Sequence, residues 1–131
     1  MSEALLDLAR SIAARAEPGE QVEAYVSRSR DTDVKVFGGA VEELAVAESA
    51  GVGVRVIVDG RLGYAWAGSL DANVIADVLA DARDNARFAA PDEWNGLPTL
   101  EDARAVEAAD LELWRDDLNT VPTSSRLIVS A

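Results

Sequence analysis

At 131 residues and 13.9 kDa the chain has the size of one domain, or of one domain with a short extension, and 49% of it is hydrophobic. It contains no histidine and no cysteine, which excludes a Ser-His-Asp triad, a cysteine nucleophile, a thiolate metal site and any disulfide, and accords with a reducing cytoplasm. Asp and Glu number 24 against 12 Lys and Arg; the resulting formal charge of −12 repels a phosphate backbone and speaks against nucleic acid as a partner.

Membrane association is not expected either. No apolar run approaches the ~20 residues of a spanning helix. Met1-Ser2-Glu3 also lacks the basic flank of a secretory signal.

The first element is predicted as an amphipathic helix from about Glu3 to Ala16. Leu5, Ala9, Ile12, Ala13 and Ala16 share one face, Ser2 is the expected N-cap, and Pro18-Gly19 is the stop. Five strands are expected next. In the first, Val22, Ala24 and Val26 alternate with Glu23 and Tyr25. The second holds Val34 and Val36, and Gly38-Gly39 marks a hairpin turn. The third runs from about Val41 to Ser49. A three-residue loop ending at Ala40 is preferred there. It sets Val34 opposite Leu44 and Lys35 opposite Glu43, whereas a two-residue loop opposes Val34 to Glu43 and mixes the faces.

The strongest local signal is the strict alternation of Val52, Val54, Val56 and Val58, followed by Asp59-Gly60, a type I′ turn pair. A two-residue loop then places Val58 opposite Arg61, Val56 opposite Gly63, Val54 opposite Ala65 and Val52 opposite Ala67. Small residues on that face let a helix lie close. The other face carries Arg55, Ile57, Leu62, Tyr64 and Trp66, with Gly53 across from Trp66.

A second helix is expected from a Ser69 cap to about Ala89, with Ile75, Val78, Leu79, Ala82, Ala86 and Ala89 as its apolar stripe and Pro91 ending it. The fold class is therefore α+β: a two-layer sandwich, a five-stranded antiparallel meander with an N-terminal and a C-terminal helix on one face. Residues 1–97 are expected to form this domain, and 98–131 an extended connector and the truncated start of the next segment. Trp94, Leu97 and Trp114 are its expected anchors, and Thr123 is a possible cap for a helix starting at Ser124.

Few residues offer chemistry. Gly51, Gly53 and Gly63 lie in strands rather than at a helix N-terminus, so packing explains them better than phosphate binding. The pairs Asp92/Glu93, Glu101/Asp102 and Asp116/Asp117 lack calcium-loop spacing and read as solvated surface. Glu42 and Glu43 are strand neighbours on opposite faces, not an acid/base pair. Arg55, Tyr64 and Trp66 are the side chains that most often anchor interfaces. Two readings of their face are open: a contact surface for a peptide or a subunit, or a face buried beneath the segment from Pro91 to Trp114.

From Val22 to Leu97 the chain resembles the N-terminal domain of the TldD/PmbA family of zinc metallopeptidases, also described as modulators of DNA gyrase. The resemblance is carried by Glu23-Ala24-Tyr25-Val26, Gly39-Ala40-Val41-Glu42, Gly51-Val52-Gly53-Val54-Arg55-Val56 and Asp59-Gly60-Arg61-Leu62-Gly63-Tyr64-Ala65. It continues through Asp81-Ala82-Arg83-Asp84-Asn85-Ala86, Ala90-Pro91-Asp92 and Asp110-Leu111-Glu112-Leu113-Trp114, with details nearer the PmbA branch. The resemblance implies a cytoplasmic, two-subunit peptidase acting on unfolded peptide. Its zinc is bound by a His-Glu-x-x-x-His helix far downstream of the region matched. It therefore implies a non-catalytic domain with no catalytic or metal residue and no cofactor of its own, serving subunit assembly and peptide access. The other class of function open at this point is a free-standing interaction domain, or a truncated product, without a peptidase role.

Overall fold

Asp59 and Gly60 take φ values of 50° and 70°, the left-handed backbone that a type I′ turn needs, and they join two antiparallel strands. In this computed structural model, which describes residues 3–99, 101–102, 109–113, 117 and 120–122, the elements run in the order α1 (Glu3–Ala13), β1 (Glu20–Phe37), β2 (Ala40–Val58), β3 (Arg61–Ala67) and α2 (Ala72–Phe88). The sheet order is β1-β2-β3. Between β2 and β3 the register is the one expected: Val52 faces Ala67, Val54 faces Ala65, Val56 faces Gly63 and Val58 faces Arg61.

The chain forms two compact units. One holds residues 3–29, 49–99 and 101–102; the other holds residues 30–48 and the described residues from 109 onward. The first unit contains the core. Ile12 of α1 and Ile75, Val78, Leu79 and Ala82 of α2 pack with Val22, Val52, Val54 and Val56 of the sheet. Both helices therefore cover one sheet face, as the pattern of small and branched residues requires. Leu8, which the expected α1 stripe omitted, also packs against this core. No helix among the described residues is long and apolar enough to cross a membrane.

The expectation of five strands is corrected to three. The first two are one strand of 18 residues, and the third and fourth are one of 19. Between Val26 and Val34 stands Ser-Arg-Ser-Arg-Asp-Thr-Asp, polar on both faces but without glycine or proline, so nothing there turns the chain. A two-strand ladder bathed in solvent needs no apolar face, and a polar run can stay extended within it.

The three-residue loop is corrected as well. β1 ends at Phe37 and β2 begins at Ala40, so Gly38-Gly39 alone makes the turn, with φ of 59° and 80°. Lys35 accordingly reaches Glu42, at 2.9 Å, rather than Glu43. Further along, Arg30 meets Glu48, with Nε–Oε1 at 3.6 Å. Counted from the turn, these two pairs differ by one residue. β2 therefore accommodates an extra residue between Glu42 and Glu48, a β-bulge, in keeping with the two strand lengths. By Arg30 the partners are those that a three-residue loop sets, and the mixing of faces is relieved by the bulge instead of by the loop.

Two helix ends also differ from expectation. α1 stops at Ala13, and the chain tightens through Arg15 N–H to Ile12 O (3.0 Å) and Ala16 N–H to Ala13 O (3.2 Å). The cap of α2 is Asp71, not Ser69; the Ser69 hydroxyl oxygen, two residues earlier, instead accepts the Asp71 N–H at 3.1 Å. Beyond α2, the Asp92 N–H and the Asn95 side-chain amide both donate to the carbonyl of Gly60, at 2.9 and 2.8 Å, and Arg61 donates to the carbonyl of Ala89. This holds the segment after the helix against the β2–β3 turn. Trp94 anchors nothing: it is 86% exposed. Leu97 is held by its own N–H, which donates to the Gln21 side chain at 3.0 Å. Trp114, the Thr123 cap, the helix expected after it and Ser2 lie outside the described residues.

Candidate functional site

The helices cover one face of the sheet, and the other face gathers the side chains that alternate with the core valines. From β3 come Leu62, Tyr64 and Trp66, and from β2 come Gly53, Arg55 and Ile57, with Arg55 directly across from Tyr64 and Gly53 across from Trp66. From β1 come Glu23 and Tyr25. The Arg55 guanidinium donates through Nε and Nη2 to one carboxylate oxygen of Glu23, the Nε contact at 2.6 Å. This pair sets Tyr25 beside Gly53.

Gly53 is the floor of the site. A Cβ added there would stand 2.9 Å from the Tyr64 hydroxyl and 3.3 Å from its ring, so the Tyr64 ring lies over the bare glycine backbone. Glu23, Tyr25, Gly53, Arg55, Leu62 and Tyr64 line a groove of about 390 Å³. Tyr25 is 72% exposed, Tyr64 53% and Trp66 70%.

The three residues singled out from the sequence, Arg55, Tyr64 and Trp66, thus do share one face. Of the segment read as a possible cover for that face, Asp92–Asn95 is tied to the Gly60 turn and Trp94 is exposed. Ile57 at that end of the face is buried and Leu62 lines a hollow with Ala89–Asn95, while Tyr64 and Trp66 stay exposed, and Trp114 lies outside the described residues. Two members of the cluster were missed, Tyr25 and Glu23. The alternation of Val22, Ala24 and Val26 already put them on the face away from the core; what was absent was the pairing that brings β1 beside Arg55. The turn residues Gly38, Gly39, Asp59 and Gly60 all have positive φ, as their structural role demands.

Comparison with known proteins gives a consistent picture. Residues 22–86 match the family described as PmbA/TldA metallopeptidase domain 1. An uncharacterised protein of Methanocaldococcus jannaschii is 29% identical over 91 residues, covering 68% of this chain and 22% of that protein. The crystal structure of TldE from Thermococcus kodakarensis superposes with a TM-score of 0.57 at 29% identity, over 72% of this chain and 21% of that one. This chain belongs to the TldD/PmbA family. It spans about a fifth of the length of the relatives it matches, and what it shares with them is the N-terminal domain.

The zinc of the TldD/PmbA family does not fit the residues present here. Zinc takes imidazole and thiolate donors above all, and the sequence has neither. Carboxylates remain, but among the described residues no three of them converge. Several serve the backbone instead: an Asp92 oxygen accepts the Trp94 N–H at 2.9 Å, and an Asp102 oxygen accepts both the N–H and the hydroxyl of Thr99 at 2.8 Å. The 131-residue chain is therefore expected to retain no zinc after dialysis against metal-free buffer. Elemental analysis showing one tightly held zinc per chain overturns this.

Proposed function

We propose that this chain acts as the non-catalytic N-terminal domain of a TldD/PmbA-type cytoplasmic metallopeptidase, and that its open sheet face takes part in assembly with a second subunit and in admitting unfolded peptide. Residues 1–97 form that domain, and 98–131 lead toward the next region. The observation that carries the reading is the exposed cluster of Tyr25, Tyr64 and Trp66 around the Glu23–Arg55 pair. Large amphipathic rings and a guanidinium are the usual anchors of interfaces, and here they lie outside the hydrophobic core. Zinc chemistry belongs to another part of the system, because this chain has neither imidazole nor thiolate to hold the metal.

The test is Trp66→Ala. A ring that is 70% exposed contributes little to the fold, so the thermal midpoint of the 131-residue chain is expected to move by a few degrees at most. In a full-length family protein carrying this domain, the same change is expected to weaken subunit assembly or peptide turnover at least ~10-fold, about 1.4 kcal/mol. A large fall in the midpoint with assembly and turnover unchanged removes the reading and makes Trp66 a structural residue.

A further inference from the structure

β3 lies at one edge of the sheet, with β2 on its inner side. Val58 and Arg61 close a two-residue turn, so they exchange both backbone hydrogen bonds, and bonded and non-bonded pairs alternate from there. Gly63, Ala65 and Ala67 therefore bond to β2, while the N–H and C=O groups of Leu62, Tyr64 and Trp66 point outward. The Tyr64 carbonyl bears this out, because it accepts the side-chain amide of Asn85 on α2 at 2.9 Å. Among the described residues no other hydrogen bond engages the outward backbone groups of these three.

Sheet edges are normally guarded by charges, prolines or bulges that stop a foreign strand from pairing. β1, at the opposite edge, carries charged side chains along its length from Glu20 to Lys35. β3 is guarded far less. After Arg61 it has no charge and no proline as far as Ala67, and its register with β2 runs without a bulge. Its one guard is Asn85, an exposed side chain that fills a single acceptor and is free to rotate away.

Outward donors and acceptors repeating every second residue match the backbone of another extended strand. On the open face, side chains of an added strand stand beside Leu62, Tyr64 and Trp66, which favours β-branched or aromatic residues at alternate positions. On the other face they lie near the flank of α2 that carries Asn85 and, one turn earlier, the exposed Asp81. That carboxylate and the charge of −12 on the whole chain favour basic residues there, and the same charge opposes pairing between two copies of this chain.

We propose that the outer edge of β3 takes up an extended peptide as a further strand, apolar at alternate positions and basic between them, and that the Asn85 amide holds the place of that strand until it arrives. This rests on the function proposed above and names where unfolded peptide is held and by which groups.

The experiment is amide hydrogen exchange read by NMR on the 131-residue chain, titrated with a blocked peptide that alternates valine and lysine over seven residues, the length of β3. Controls are the same peptide N-methylated throughout, which keeps the side chains and removes the donors, and the peptide with glutamate in place of lysine. Saturable binding with Kd tighter than about 1 mM is expected for the first peptide, at least ~5-fold weaker binding for the glutamate peptide, and none for the N-methylated one. At saturation, exchange is expected to slow ~10-fold or more at the amides of Leu62, Tyr64 and Trp66, with no change along β1. Tyr64→Pro removes an outward N–H and no bond to β2, and is expected to weaken binding ~10-fold or more. Asn85→Ala frees the Tyr64 carbonyl and is expected to strengthen binding ~3-fold or more. Each variant serves should the other fail to fold.

The inference falls if the first peptide does not saturate, if the N-methylated peptide binds equally well, if protection appears away from β3, or if both folded variants keep wild-type affinity. Protection of the same amides that grows with chain concentration, without peptide, gives the edge to a second copy and overturns the peptide as its occupant. Equal binding of the glutamate peptide overturns the basic preference. Subunit assembly is measured without peptide, so loss of peptide binding alongside an intact effect of Trp66→Ala on assembly rejects this inference and leaves the assembly role standing.

Discussion

Replacing Gly63 by valine is expected to cost several times more stability than replacing Ala45 by valine. A Cβ at Gly63 would lie 2.0 Å from the carbonyl oxygen of Ala82 and 2.3 Å from the amide nitrogen of Ala86. Both are backbone atoms of α2, so no side chain can swing aside to make room; the helix itself has to lift. The same helix contributes Ile75, Val78, Leu79 and Ala82 to the core, and lifting it parts those residues from Val52, Val54 and Val56. Overpacking alone costs roughly 1–3 kcal/mol, and separating the layers adds a cavity term, so a loss of more than about 3 kcal/mol is expected. Even Gly63→Ala brings the same clash. Ala45 is exposed on β2, where a branched side chain suits a strand, and a change within about 0.5 kcal/mol is expected there. Urea midpoints of the two variants decide the matter: equal shifts overturn the account of α2 lying directly on Gly63.

That close approach was legible in the sequence, and the reason is physical. A two-residue Asp-Gly turn leaves a single register for the strands it joins, and four alternating valines state which face is buried. Every partner from Val58–Arg61 back to Val52–Ala67 follows from those two facts. The β1–β2 hairpin was harder because its outer half buries little. Where no face needs to be apolar, polarity stops distinguishing a strand from a loop, and two long strands read as four. The bulge between Glu42 and Glu48 was invisible for a related reason: an extra residue leaves no mark in a pattern that is already weak. The candidate site was half legible. Arg55, Tyr64 and Trp66 come from the well-registered hairpin. Tyr25 and Glu23 join them only through the pairing of β1 with β2, which the sequence states poorly.

Least legible of all is the polar contact that ties the helices to the sheet, and its removal is expected to have the second-largest effect. Arg83 of α2 forks onto Glu20 at the start of β1, with Nε–Oε1 and Nη2–Oε2 both at 2.9 Å, and Nη2 also donates to the carbonyl of Arg15 just past α1 at 2.9 Å. One side chain thus joins three segments that lie up to 68 residues apart. The pair is largely sequestered, with side-chain exposures of 23% for Arg83 and 10% for Glu20, so it escapes most of the screening that makes surface ion pairs weak. The hydrogen bonds from Arg83 hold the Glu20 carboxyl below its ordinary range, against burial, which pushes it up. Arg83→Met keeps much of the stem and removes the fork, leaving Glu20 sequestered without its partner. A loss of about 2–3 kcal/mol at pH 7 is expected. The sign of the pH dependence follows from the lowered carboxyl. Its contribution is complete above the unfolded glutamate value near 4.5 and is lost as pH falls through the lower folded value. The gap between wild type and Arg83→Met should therefore narrow steadily below about pH 4.5, since acid neutralises the stranded carboxylate in the variant while it weakens the pair in the wild type. Denaturant unfolding of both proteins from pH 7 to pH 3 measures it, and a gap that stays constant across that range shows that Arg83 acts through packing alone.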